Sequence, residues 1–358
     1  MMFKTVLAVK TPCAAVLASV LITLAMTSAA VAAAWQDRLL TELIKADADY
    51  SGDLGVYVKD VESGDEVSLR AEEYWYLSST VKVPIAVELL ARIEQGALAW
   101  DTLVTLSAAD YLDGAGETNW VQPGTELTIE YLFNQMLTHS DNTATDALLR
   151  TLGVDSVNAR LQTLVPEGIA PITTLADVRR LAYREFNEAA MQFTSDDFFR
   201  IRASSDVDGR ADILADIFGL TRAELAQPDM DSAFGAYYAK GYNSGTMMGM
   251  GQLLEAIVTG AALSPDPTEL LLDTMVDIAT GQQRIKAGLP ETARFAHKTG
   301  TQHRRTCNVG IAWADENSAR PVIIAACTRG PRSVADSERA LRAVGEAVTA
   351  SGVLTSAD

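Results

Sequence analysis

Several things are scarce in this chain. Of its 358 residues only three are cysteine and three are histidine, and 29 basic side chains face 47 acidic ones. The histidines, at positions 139, 297 and 303, are scattered and share no metal-ligand spacing with the cysteines. No zinc or other cofactor is expected. The shortage of positive charge, a formal net charge of −18, argues against nucleic acid or anionic lipid as a partner, because both need a basic face. Repeats and low-complexity tracts are also absent. Past the first 34 residues no stretch is apolar enough to span a bilayer, so stable membrane insertion is not expected.

What is present starts at the N-terminus. Lys4 and Lys10, an uncharged apolar run from Thr11 to Met26 and the small residues Ala29 to Ala34 read as a secretory signal peptide over residues 1–34. Cleavage is expected after Ala32 or Ala34, which places the mature chain, residues 35–358, in the periplasm or outside the cell. A single N-terminal anchor helix is the alternative. Thr11-Pro12 before Cys13 does not match a lipoprotein signal. Cleavage leaves 27 basic against 47 acidic side chains, and two cysteines, Cys307 and Cys327. A cysteine pair in an exported chain suggests a disulfide. If Thr306–Ala314 and Pro321–Thr328 form a hairpin centred near Asn317, the two cysteines face each other across it, close enough to bridge.

The hydrophobic pattern changes period twice. Trp35, Leu39, Leu40, Leu43 and Ile44 have helical spacing, and Leu54–Val61 and Glu66–Arg70 alternate as strands. From about Ala108 to Leu289 the pattern is helical, with Thr128–Leu137, Thr143–Leu152, Asn243–Val258 and Pro267–Ala279 the clearest segments. Thr194–Met230 is acidic and carries no clear period. Strands return at Arg294–Thr301, Thr306–Ala314 and Pro321–Thr328, and a helix follows from Val334 to about Ala350. Strands at both ends with helices between them give an α+β fold. The expected parts are an antiparallel sheet with terminal helices (35–77 and 291–358) and an all-helical lobe (78–290).

Chemistry enters at Leu77–Pro84. Ser79 and Lys82 form Ser-x-x-Lys, and on a helix turning about 100° per residue positions i and i+3 share a face. Pro84 fits only a first turn, so the helix should begin at about Ser79. The motif alone arises by chance about once in a chain of this length. Two later triplets, Ser140-Asp141-Asn142 and Lys298-Thr299-Gly300, are each expected only about 0.04 times. Standing alone, Ser140-Asp141 would also read as a helix N-cap and Lys298-Thr299-Gly300 as a strand end.

In that order the three motifs resemble those of active-site-serine penicillin-recognising enzymes, and Ser-Asp-Asn is similar to the middle element of class A β-lactamases. The resemblance spans nearly all of the mature chain. It implies a β-lactamase-like fold and a serine β-lactamase that opens the lactam amide through an acyl-enzyme on Ser79. It implies Lys82 as the base, Ser140 as proton relay and Asn142 as holder of the substrate amide. Lys298 and Thr299 would bind the substrate carboxylate, and burial together with the Lys298 cation would lower the Lys82 pKa. The N–H groups of Ser79 and Thr301 would form the oxyanion hole. The ligand would be a β-lactam or a peptidoglycan peptide, and a monomer is expected.

The family's deacylating glutamate has no clear counterpart. Ungapped counting from Ser140 reaches Ala176, beside Asp177. The best local match, Tyr183-Arg-Glu-Phe-Asn187, puts Tyr183 in the glutamate's place and offers Glu185 two residues off pattern. Glu185 is the candidate base, with a surface helix acid as its other reading. Trp120 reads as core or as an aromatic at the mouth of the site, and Arg304 and Arg305 as solvated or as carboxylate ligands. A D-alanyl-D-alanine peptidase and a non-catalytic peptidoglycan-binding protein are the alternatives to a β-lactamase.

Overall fold

The computed structural model describes residues 35–355. The expected signal peptide lies outside the described residues. Helix α1 (residues 35–49) leads into strands β1 (Asp53–Asp60) and β2 (Glu66–Leu69). Strand β3 (Trp75–Tyr76) delivers the chain to a 3-10 turn at Ser78–Val81, and α2 (Lys82–Glu94) follows. A small pair, β4 (Leu103–Thr105) with β5 (Glu126–Thr128), precedes helices α3 (Ile129–Thr138), α4 (Asn142–Leu152), α5 (Val154–Leu164) and α6 (Leu175–Arg184).

The acidic segment without a clear period is helical. It forms α7 (Ser195–Arg202) and α8 (Gly209–Phe218), with α9 (Met230–Tyr238) after it. Its aspartates act at helix starts, where a side-chain oxygen satisfies free N–H groups. Asp197 completes a capping box with Thr194, and Asp229 accepts from Ser232 N. Strand β6 (Ser244–Gly245) pairs with β3, and then come α10 (Met247–Val258), α11 (Pro265–Val276) and α12 (Ile285–Gly288). Strands β7 (Arg294–Gln302), β8 (Arg305–Trp313) and β9 (Val322–Arg329) and helix α13 (Val334–Ser351) close the chain.

The main sheet has the order β2-β1-β9-β8-β7 and is antiparallel throughout. Period-two alternation sends one set of side chains to each face. Leu54, Val56, Val58, Ile324 and Ala326 meet α1 and α13 in one core, while Tyr57, Val309, Ile311, Ile323 and Ala325 belong to the larger core shared with the helices. Helix α10 falls within residues 78–290, assigned to the helical lobe on sequence, and it packs on this second face of the sheet. Gly251 makes that possible, since a Cβ there would stand 2.4 Å from the Tyr57 ring. Cys307 and Cys327 are paired in the β8–β9 register and joined in a disulfide. Trp120 is not a core residue: it is 86% exposed on a 3-10 turn.

Candidate active site

Three junctions of this fold meet at one cavity of about 460 Å³. The first is the turn carrying Ser79. Ser78 takes a positive φ of 51°, unusual for a residue with a Cβ, and this turns the half-buried Ser79 toward the cavity at the start of α2. The second is the α3–α4 connection. Ser140 sits at φ 58°, and Asp141 caps α4 by accepting from Ala144 N at 2.9 Å while also accepting from Thr118 N at 2.8 Å. The cap holds one side of the triplet so that Ser140 and Asn142 face the cavity. The third is β7, the edge strand. A Cβ at Gly300 would lie 2.7 Å from Leu77 O and 3.0 Å from Ser79 N, so only glycine lets β7 come this close to the Ser79 turn.

Two lysines are buried where these junctions meet. Lys82 Nζ donates to Ser140 O at 2.6 Å, Ser140 Oγ at 3.2 Å and Asn142 Oδ1 at 2.9 Å. Lys298 Nζ donates to Ser140 Oγ from the other side at 3.0 Å. One hydroxyl thus lies between two amines. Burial brings the Lys82 amine down to about 7, opposed by Asp141 and Asp146 and reinforced by Arg179. Burial holds Lys298 well below the usual lysine range, with Lys82 and then Arg284 adding to it. Burial is the first cause for both amines, the two lysines repel one another across Ser140, and Arg179 adds to this at Lys82 as Arg284 does at Lys298.

Around this centre the sequence candidates divide. Ser79, Ser140, Asn142, Thr299 and Thr301 line the cavity. The Asn142 amide is engaged at both ends, since its Nδ2 also donates to Asp113 O at 2.8 Å. Glu185 is not brought to the site: it caps the C-terminal end of α6, and its carboxylate is bound by Lys240. At about 100° per residue, Arg179 and Tyr183 share the cavity-facing side of α6, and a residue two further on points away from it. Tyr183 is buried in the position the local match assigned to the glutamate, its hydroxyl pushed up to about 12 by burial.

Other cavity residues went unread. Arg179 pairs with Asp113 at 2.7 Å and binds both its oxygens. Asp113 is the one carboxylate lining the cavity among the described residues. Arg284 lies buried beside β7, donating to Gly300 O, Cys307 O and Thr301 Oγ1 and meeting Glu338 at 3.2 Å. The spacing of Arg179 and Tyr183, i and i+4 on one helix, is a signal the sequence held. Arg284 lies in a Thr-Gly-Gln-Gln-Arg loop and offered none.

Comparison with known proteins agrees with this construction. A family model described as "Beta-lactamase enzyme family" matches residues 37–351. The carbapenem-hydrolyzing beta-lactamase KPC of Klebsiella oxytoca is 25% identical over 80% of this chain and 79% of its own. Two solved structures share the fold. A beta lactamase from Xanthomonas campestris pv. campestris is 21% identical with a TM-score of 0.66, covering 88% of this chain and 97% of that one. An acyl-enzyme complex of a PBP-A point mutant with penicillin G is 19% identical with a TM-score of 0.64, covering 87% and 95%. With its fold, its three motifs and a family match over almost its whole described length, the chain belongs to the beta-lactamase enzyme family.

Proposed function

We propose that this protein is a serine hydrolase that opens β-lactam rings by acylation of Ser79. The observation that carries the reading is Ser140 Oγ lying between the amines of Lys82 and Lys298. A lysine near 7 has a substantial neutral fraction at neutral pH and can accept the Ser79 hydroxyl proton as its oxygen attacks the lactam carbonyl. The oxyanion that forms is met by the backbone N–H groups of Ser79 and Thr301. When the C–N bond breaks, Ser140 passes a proton to the departing nitrogen and is replenished from the lysine beside it. Lys298, Thr299 and the Arg284 side of β7 receive the ligand carboxylate. No cofactor enters the scheme.

A second reading is favoured by one observation. The only carboxylate lining the cavity among the described residues is Asp113, and Arg179 already holds both its oxygens. Hydrolysis of the acyl-enzyme needs a base to activate water, and base help is typically worth about 10²–10⁴-fold. We therefore favour fast acylation followed by slow release, the behaviour of a penicillin-binding or D-alanyl-D-alanine peptidase-like enzyme. The acyl-enzyme complex known for the related PBP-A mutant is consistent with such a site. The test is to mix the mature protein with a chromogenic cephalosporin and follow colour and protein mass together. One stoichiometric burst with a lasting adduct on the Ser79 peptide supports slow release. Sustained colour with little adduct supports a β-lactamase that turns over freely. Neither colour nor adduct would overturn both readings.

A further inference from the structure

Arginines on this chain rarely stand alone. Of the 21 in the sequence, 17 form an ion pair with a carboxylate. The exceptions among the described residues are Arg38, Arg202, Arg210 and Arg305. Arg38 is satisfied by Ser351 O, to which its Nε donates at 3.0 Å. The other three all line the Ser79 cavity. In a protein of net charge −18, three guanidiniums without a carboxylate partner in one cavity are the reverse of a solvated acidic surface.

Arg202 ends α7 and Arg210 opens α8, the two helices of the segment whose period the sequence hid. A cation in the first turn of a helix opposes the helix dipole, so Arg210 is not placed there for helix stability. Its Nε donates to Ser204 O at 3.0 Å, and no carboxylate meets it. Burial, with Arg202 and Arg179 nearby, pulls its pKa below the usual arginine range. The neighbouring Asp113 offsets this only in part, because Arg179 binds both its oxygens. Partly buried positive charge without a counter-ion is costly, and a ligand anion removes the cost. At the start of β8, Arg305 adds a third cation, held with its guanidinium 4.5 Å from the centre of the Tyr238 ring. The cavity thus has two cationic ends, one at Arg284 beside β7 with Lys298 buried behind it, and one at Arg202 and Arg210 on α7 and α8. Its volume of about 460 Å³ falls within the usual range for small-molecule sites.

We propose that Arg202 and Arg210 form a receptor for a second carboxylate of the substrate, so that the preferred ligands are dianions. One carboxylate lies at the β7 end, and the other hangs on the acyl side chain toward α7 and α8. This names the substrate class of the acylation reading above and rests on it.

The test uses benzylpenicillin and its counterpart bearing an extra carboxylate on the side-chain α-carbon. Calorimetric binding is measured on the full mature Ser79→Ala protein, where no covalent step intervenes. Acylation is measured separately on the parent by mass spectrometry. A bidentate guanidinium–carboxylate contact predicts about tenfold or more tighter binding of the dianion. That preference should shrink with added salt and fall to about onefold when Arg202→Gln and Arg210→Gln are added. Retained binding of benzylpenicillin by that variant shows that the cavity is intact, and Arg202→Lys should keep part of the preference. Equal binding of the two ligands, a preference that survives both substitutions, or binding of neither overturns the proposal. If Ser79→Ala prefers the dianion but the parent is never acylated, the acylation reading falls and the anion receptor stands. If both penicillins acylate the parent with equal efficiency and bind equally, the receptor falls and the acylation reading stands.

Discussion

The wall of the cavity formed by β7 and the Ser79 turn and the wall formed by α6 to α9 both present cations, but they hold them differently. On the first wall Lys82 and Lys298 are fully buried and cross-bonded through Ser140, and burial keeps both amines below their usual range. On the second, Arg202 is exposed and Arg210 half-buried, and only Arg179 has a carboxylate. The first arrangement suits proton transfer, because a buried amine shifts between neutral and charged at moderate pH. The second suits recognition, because a guanidinium stays charged and offers a planar fork. On the readings proposed above, chemistry and selectivity would be carried by different parts of the chain, with Ser79 between them.

Four measurements test that division. Lys82→Ala strikes the proton-transfer wall at its base, and adduct formation on Ser79, followed by mass spectrometry, should slow by about 10²–10⁴-fold. A rate within about threefold of the parent would remove Lys82 from the reaction. Arg179→Gln strikes the other wall by leaving Asp113 buried without its partner. Breaking such a pair costs about 3–5 kcal/mol, which a lower urea midpoint should show while adduct formation persists. Loss of the adduct with unchanged stability would instead place Arg179 in the reaction.

The third measurement returns to the sheet. Cys307 and Cys327 close a loop with a sequence separation of 20, and removing that bridge should cost about 2–4 kcal/mol in unfolding measurements. Unfolded, unreduced mature protein should titrate no free thiol, and two free thiols would show that the bridge is not made. The smallest effect joins the two walls. The reactive form of Lys82 is the neutral amine, which becomes more abundant as pH rises, so acylation should climb through about pH 7 and then level off. Arg179 helps hold Lys82 neutral, and Arg179→Gln should raise that midpoint by less than about one unit, or about 1.4 kcal/mol. A midpoint that does not move would make the two walls electrically independent.

How much of this was legible follows the same division. Ser79, Lys82, Ser140 and Lys298 could be read because they stand in three motifs whose order resembles the family's, and the close approach of β7 to the Ser79 turn requires Gly300 in the third. The strands near both ends of the chain were found within a residue or two, because their apolar residues keep the spacing of strands between turn-forming residues. The disulfide followed from the cysteine pair and the hairpin register together. The helical wall was hidden for a physical reason. Asp197, Asp206 and Asp229 sit at helix starts and turns, so α7 to α9 look on sequence like an acidic loop. Arg202 and Arg210 converge only after those helices fold, and no spacing announces it. Glu185 was misplaced because a residue can match a motif's neighbourhood and still lie on the wrong side of a helix.

The sheet order also shapes how the molecule is made. β1 pairs with β9 along its whole length, and the Arg329–Asp53 contact closes a sequence separation of 276 residues. During synthesis from the N-terminus, β1 and β2 emerge as a hairpin with the β9 side of β1 open and the apolar face of Leu54, Val56, Val58 and Val67 bare, long before β9 and α13 exist to cover them. Pairing this distant is slow because loop closure precedes any gain from contact. A chain stopped before Val322 would carry Ser79, Lys82, Ser140 and Lys298 yet expose the open edge of β1, a template for aggregation.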